Sequence, residues 1–183
     1  MDGGLRGDGA LGESGVRGPG TLAPTLAPGE REQIGDFLLL EARLLDQRRF
    51  DAWLGLYAED AVYWVPARWG QESRTLEVSL FNDDRMTLAA RVGRLLHPRA
   101  HAQLPPSRTL HVVSNVRIAG EVDGLVRVES AVVFHEFRAP DRTVLAGLVE
   151  HGLRRVDGGF RIVWKRVDLL DCDQAHRSLQ IPI

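Results

Sequence analysis

The sequence of 183 residues contains a single cysteine, Cys172. One cysteine cannot form an intrachain disulfide, and it is too few for a metal site built from thiolates alone. Even the iron–sulfur cluster that is partly ligated by histidine needs two cysteines. Asp171 and Asp173 flank Cys172 and disfavour its thiolate, so we expect an inert thiol. The sequence therefore predicts no redox or metal centre of its own.

Positive charge and long apolar runs are also lacking. The 23 Lys and Arg residues face 25 Asp and Glu residues, for a formal charge of -2. Because nucleic-acid binders need an excess of basic residues to attract phosphates, we expect no nucleic-acid partner. No apolar run approaches the roughly 20 residues of a membrane span, and no basic region precedes an apolar core at the N-terminus. We expect no membrane association and a cytoplasmic protein.

Residues 1–28 differ in composition from the rest of the chain. They contain eight glycines, three prolines and no aromatic residue. Such a segment buries too little apolar surface to offset the entropy lost on ordering. We therefore predict a flexible tail over 1–28 and a single domain over 29–183, a length that suits one domain.

Amphipathic helices are predicted in the first half of the domain. A first helix is expected from Glu30, where apolar residues begin to recur at helical spacing. Asp51 is expected to cap a short second helix that includes Tyr57. A third helix follows Asp83 or Asp84. Its predicted apolar stripe comprises Met86, Ala89, Val92, Leu95 and Leu96.

Strands are predicted over most of the remainder. They cover 61–65, 109–118, 125–138, 143–156 and 160–170, with a weaker signal over 75–80. The short turns between the last four imply antiparallel neighbours. Strands of roughly 10 to 14 residues must coil, with Ser114-Asn115, Ser130 and Gly147 as bending points. The predicted fold class is α+β, with N-terminal helices packed on one strongly curved antiparallel sheet that forms a cone.

Histidines and acid–base residues suggest two kinds of site. His97 and His101 are four residues apart, but Pro98 breaks the helix that would align them for a metal. Three others lie on separate predicted strands: His111, His135 and His151. Their register cannot be read from the sequence, and strand histidines are more often hydrogen-bonded structural residues than ligands. We favour the structural interpretation.

A second constellation consists of Tyr57, Asp60 and His111. In a cone cavity these residues would supply a phenol donor, a carboxylate base and an imidazole for proton abstraction. The simpler interpretation has Asp60 closing a turn and Tyr57 packing in the core, and we favour it.

Ordered motif pieces resemble the small (beta) subunits of aromatic-ring-hydroxylating dioxygenases, within the NTF2-like or SnoaL-like group of cone-shaped folds. The resemblance covers about residues 30–183, and Leu179–Ile183 resembles the short apolar ending of that family, with Pro182 as a departure. The other matching pieces are Glu41–Asp46 with Arg49-Phe50 and Trp53, Tyr63–Pro66, Asn82–Arg85, Pro106–Thr109, Val113–Val116 and Leu153–Phe160.

The resemblance implies a non-catalytic assembly subunit. It would form a trimeric base for three large alpha subunits in an alpha3beta3 heterohexamer, and it would need no cofactor. The alpha subunits would carry the Rieske [2Fe–2S] cluster and the mononuclear iron. They would insert O₂ into an aromatic ring to give a cis-dihydrodiol, with electrons from NAD(P)H. Trp64, Arg85 and Arg108 are the candidates for packing or subunit contacts.

Two rival functions share the same cone. One is a stand-alone dehydratase or isomerase that uses Tyr57, Asp60 and His111 around an apolar pocket. The other is a cofactor-free ligand-binding module. The sequence does not identify an aromatic substrate.

Overall fold

The computed structural model describes residues 26–97, 105–176 and 179–183. Helices precede most of the sheet, which confirms the α+β class. The helices are α1 (Glu30–Asp46), α2 (Phe50–Leu54) and α3 (Arg85–Leu96). The strands are β1 (Tyr57–Pro66), β2 (Ser79–Asp84), β3 (Arg108–Val122), β4 (Leu125–Arg138), β5 (Asp141–Val156) and β6 (Gly159–Leu169).

The six strands form one sheet in the order β2-β1-β6-β5-β4-β3. The last four strands are joined by short turns and pair antiparallel, as the Asp-Gly and Pro-Asp pairs predicted. The sheet is antiparallel, as predicted, except that β1 runs parallel to β6. Bulges bend the sheet, and one lies between Ser114 and Arg117, where Asn115 adopts a φ of 54°.

Two predicted boundaries differ from the structure near α2. Asp51 lies inside the first turn of α2, and the residue before the helix is Arg49. Tyr57 starts β1 instead of ending the helix, because it pairs with Ile162 of β6. That partner lies more than a hundred residues away, so no local pattern reveals the boundary.

The start of α3 is capped by Asp84, whose carboxylate accepts a hydrogen bond of 2.7 Å from the Thr87 amide. The weak strand signal over 75–80 falls too early, since β2 begins at Ser79. Met86 does not belong to the buried stripe and is 77% exposed. It precedes buried Leu88 by two residues, or roughly 200° around a helix, so it faces solvent.

The core lies between the helices and the inner face of the sheet. Ile34 and Leu38 of α1 meet buried side chains of the strands, among them Phe134 and Ile162. Each fully buried side chain of this size contributes about 1.5–3 kcal/mol. Leu26 also packs against this cluster. Residues 1–25 of the predicted tail over 1–28, like His101, lie outside the described residues. None of the helices in the described ranges is long and apolar enough to cross a membrane.

Gly147 allows β5 and β6 to approach closely. A Cβ atom there would lie 2.7 Å from the backbone oxygen of Asp168, and backbone cannot rotate away as a side chain can. We predict that Gly147→Ala lowers the free energy of unfolding by about 1–3 kcal/mol. Gly35→Ala, in the open part of α1, is the control and should be neutral or stabilising by up to about 1 kcal/mol. Urea denaturation measures both, and equal effects would contradict the close approach.

Candidate subunit interface

One face of the sheet is covered by the helices, and the opposite, outer face carries apolar side chains. On β3, Leu110 and Val112 alternate with buried His111 and are 54% and 44% exposed. Cross-strand pairing puts Leu110 in one row with His135 and Val144. The next rows bring further apolar residues together. We call these residues the apolar patch: Leu110, Val112, Val133, Val144, Ala146 and Leu148.

The apolar patch departs from the usual pattern of a sheet with one wet face. Such sheets alternate apolar residues inward and polar residues outward. Here Val144 is 57% exposed and Leu148 46% exposed, both on the outward positions of β5. A contiguous exposed apolar surface with polar borders is typical of a protein–protein contact.

One border of the apolar patch is cationic. Arg108, Phe137 and Arg142 form the adjacent row across β3, β4 and β5. The two guanidinium carbons lie 4.8 Å and 5.7 Å from the centre of the same phenyl ring. Among the described residues, neither of these two arginines pairs with a carboxylate. This border therefore presents two guanidinium groups beside one aromatic ring.

The opposite border is ionic but neutralised. Arg127 reaches Glu150 and also lies 3.2 Å from Glu129. Arg166 holds Asp168 with two hydrogen bonds of 2.7 Å. The two borders of the apolar patch therefore differ in net charge.

Trp64 and Arg85 occupy different places from Arg108. Trp64 is almost buried, donates to the Ser79 hydroxyl at 2.9 Å, and lies under the Arg166 guanidinium at 4.3 Å. Its contacts are those of packing within the chain. Arg85 is half-buried at the start of α3, and its buried Nε has no hydrogen-bond partner among the described residues. A role for either residue between subunits stays a prediction.

The acid–base residues proposed for a cone cavity bind different partners. The Tyr57 hydroxyl donates to Glu41 at 3.4 Å inside the cone, and burial raises the pKa of this phenol well above its usual value. Asp60 is held by two hydrogen bonds from Arg154, at 3.0 and 2.7 Å, on an exposed part of β1. Those hydrogen bonds lower the pKa of Asp60. A lowered pKa makes its carboxylate a weaker base.

His111 is the third proposed acid–base residue. Its ring contacts the Asp46 carboxylate at 2.6 Å and the Pro182 carbonyl at 3.2 Å. No hydrogen bond joins His111 to Tyr57 or Asp60 among the described residues. The geometry therefore gives no proton relay through these three side chains.

Sequence reasoning missed the polar cluster that lies inside the cone. Glu41 accepts hydrogen bonds from Lys165 at 2.7 Å and from Trp53 at 3.3 Å, and it lies 3.1 Å from His151 Nε2. Burial acts to raise the pKa of Glu41, but Lys165 and His151 outweigh it, and the pKa falls far below its usual value. Burial lowers the pKa of His151. The sequence signal that could have revealed this cluster was a charged residue, Lys165, at an inward position of β6.

The strand histidines do not converge on a metal. His135 is exposed on the outer face, whereas His111 and His151 are buried with different carboxylates. Within the part of the chain that the structure describes, no group of three or more His, Cys, Asp or Glu side chains is placed to hold a metal ion. Burial, with the nearby Asp173, raises the pKa of the Cys172 thiol. This direction agrees with an unreactive thiol.

Comparison with known proteins identifies the family of this chain. The family described as "Ring hydroxylating beta subunit" matches residues 40–173. The chain belongs to this family. The small oxygenase component of the p-cumate 2,3-dioxygenase system of Pseudomonas putida is 39% identical over 154 residues, covering 82% of this chain and 86% of that protein. The beta subunit of benzene 1,2-dioxygenase from Pseudomonas putida is 33% identical over 168 residues, covering 85% and 87%.

Solved structures agree with this membership. The benzoate 1,2-dioxygenase beta subunit from Burkholderia mallei has a TM-score of 0.64 at 31% identity, covering 74% of this chain and 87% of that one. An NTF2-like protein with a cystatin-like fold from Novosphingobium aromaticivorans has a TM-score of 0.56 at 18% identity, covering 79% and 84%, and shares the fold. The predicted family and cone fold are confirmed. This chain is a small subunit of an aromatic-ring-hydroxylating dioxygenase, an oxidoreductase complex that implies a large alpha partner.

The buried Glu41–Lys165 pair supports a stability prediction. Glu41→Gln keeps the side-chain shape but leaves the Lys165 charge buried without a counter-charge, so we expect a loss of about 3–5 kcal/mol in unfolding free energy. Adding Lys165→Met should recover most of that loss, because an apolar pair has no charge to desolvate. Urea denaturation measures both variants. Glu59→Gln, at an exposed position of β1, is the control and should change stability by less than about 0.5 kcal/mol.

Two results would contradict this view of the Glu41 cluster. One is a Glu41→Gln variant as stable as the Glu59→Gln control. The other is a double variant that is no more stable than Glu41→Gln alone.

Proposed function

We propose that this beta subunit is the non-catalytic base of its dioxygenase, and that it self-associates as a trimer through the apolar patch. The trimer binds three large subunits to give an alpha3beta3 complex. The observation that carries the proposal is the apolar patch itself, an outer sheet face with Leu110 and Val144 more than half exposed. Association would remove this surface from water, which is the main stabilising contribution in permanent interfaces.

The borders of the apolar patch resemble the rim of a typical protein–protein interface. Protein interfaces have an apolar centre with a polar rim and are enriched in arginine and aromatic residues. Arg108 and Arg142 supply guanidinium groups on one side, and they would bind carboxylates of a neighbouring subunit. The opposite border is already neutralised by its own carboxylates, so it requires no partner charge.

We place the chemistry in the large subunit. In this proposal the Rieske cluster, the mononuclear iron and the aromatic substrate all belong to that partner, which carries out the cis-dihydroxylation in the cytoplasm. Support comes from the interior of the cone, where Tyr57 is bound to Glu41, and from the exposed position of Asp60 beside Arg154. The rival dehydratase or isomerase lacks a converged acid–base set.

Charges placed in the apolar patch test the proposed trimer. We predict that Val112→Asp combined with Val144→Asp converts the trimer to a monomer, because each carboxylate would lose its hydration in the interface. Both residues point outward, so the fold should persist, which circular dichroism verifies. Leu76→Asp is the control, because Leu76 is 80% exposed outside the patch. Sedimentation velocity gives the mass, and a double variant that stays trimeric would contradict the assignment of this face.

Charge reversal tests the cationic border. We predict that Arg108→Glu combined with Arg142→Glu weakens assembly by about tenfold or more, since the partner's carboxylates would then meet like charges. Arg31→Glu, at an exposed position of α1, is the control. Titration of the chain into the large subunit, together with sedimentation of the chain alone, identifies the affected contact. Unchanged association in both assays would show that these two arginines do not lie in the interface.

A further inference from the structure

The segment Leu179–Ile183 is anchored in the core. Ile181 and Ile183 are 2% and 1% exposed. The Ile183 amide donates to the Tyr63 hydroxyl at 3.0 Å, and this hydroxyl donates to the Ile183 carbonyl at 3.3 Å. The segment is therefore attached to β1 by one side chain and to the core by two apolar residues.

His111 supplies a third attachment from β3. Its backbone amide donates to both carboxylate oxygens of Asp46, at 3.2 and 3.0 Å. Its ring Nδ1 lies 2.6 Å from Asp46 Oδ1, and its Nε2 lies 3.2 Å from the Pro182 carbonyl oxygen. The imidazole thus bridges the end of α1 and the docked segment.

Both neighbours of this imidazole are hydrogen-bond acceptors. A carboxylate and a backbone carbonyl have no proton to donate, and a neutral imidazole has only one N–H group. At 2.6 Å, the proton belongs on the nitrogen that faces Asp46. A neutral His111 therefore turns an unprotonated nitrogen toward the Pro182 oxygen, whereas a protonated His111 donates to both neighbours.

Groups on each element that packs against His111 favour this arrangement. On α1, burial acts to raise the pKa of Asp46, but hydrogen bonds from His111 outweigh it and lower the pKa, so the carboxylate stays ionised. On β1, burial raises the pKa of Tyr63, which stays a neutral phenol. On β4, Phe134 presents an uncharged ring 4.8 Å from the imidazole centre.

We propose that His111 is a proton-dependent latch for the segment Leu179–Ile183. Protonation of the imidazole adds the hydrogen bond to Pro182, and loss of that proton removes it. The docked state then binds more protons than the released state, so by linkage docking weakens as the pH rises. The latch is a conformational device of this chain and involves neither the large subunit nor its metals.

Amide hydrogen exchange of the full-length chain tests the latch. Protection factors, corrected for intrinsic exchange, are measured at the Ile183 amide at about pH 5.5 and about pH 8.5. We expect protection to fall on the order of tenfold at the higher pH, as for loss of a charge-assisted hydrogen bond. Equal protection at both values would overturn the proposal.

Asp46→Asn is the decisive variant. The asparagine amide can donate to Nδ1, so a neutral ring keeps its N–H for Pro182 and the segment should stay protected at both pH values. His135→Gln, at an exposed histidine of β4, should retain the wild-type pH dependence. A pH dependence that persists in Asp46→Asn, or that vanishes in His135→Gln, would contradict the latch.

A measurement on the unsubstituted chain tests the proposal even where the variant does not fold. Proton–nitrogen correlation spectra of the imidazole should show both His111 ring nitrogens protonated at about pH 5.5. A neutral His111 ring at that pH would also overturn the proposal.

Discussion

In the part of the chain that the structure describes, three helices cover one face of a six-stranded sheet, and the long strands expose a second face. Side chains alternate between these faces, so buried Phe134 is followed by outward His135, and buried Leu145 by Ala146. The outer face then has to be compatible with water or be covered by something else. In this chain its middle rows are apolar, which supports the proposed role in assembly.

The inner face has a different consequence. A cone of this kind can enclose a cavity, yet here Glu41, Lys165 and His151 meet inside it and bind one another together with two aromatic donors. Buried charges that are paired and hydrogen-bonded are tolerated in a core, whereas a reactive site needs groups directed at a substrate. The same fold can therefore serve as an assembly subunit without acid–base chemistry of its own.

Local patterns predicted much of the fold. The pairs Asp123-Gly124 and Asp157-Gly158 fall between consecutive antiparallel strands, as their turn chemistry predicted. The parallel pairing of β1 with β6 depends on contacts about a hundred residues apart, and so does the start of β1 at Tyr57. These features lie beyond any local periodicity.

The candidate site was harder to predict than the fold. Arg108 was identified through resemblance, but its neighbours Phe137 and Arg142 emerge only from the register of three strands. The apolar patch depends on the same register, because a slip of one residue would turn Leu110 inward. The Glu41–Lys165 pair joins α1 to β6, and its one sequence signal, a lysine at an inward strand position, does not identify Glu41 as the partner.

The central claim is that this chain contributes assembly while the large subunit contributes the metals. Native mass spectrometry of the co-purified complex, with iron and acid-labile sulfide measured for each separated species, tests it most directly. The account predicts an alpha3beta3 mass, a trimer of the isolated small subunit, and iron and sulfide only in species that contain the large subunit. Stoichiometric iron on the isolated small subunit, or a small subunit that stays monomeric and binds no large subunit, would contradict the account.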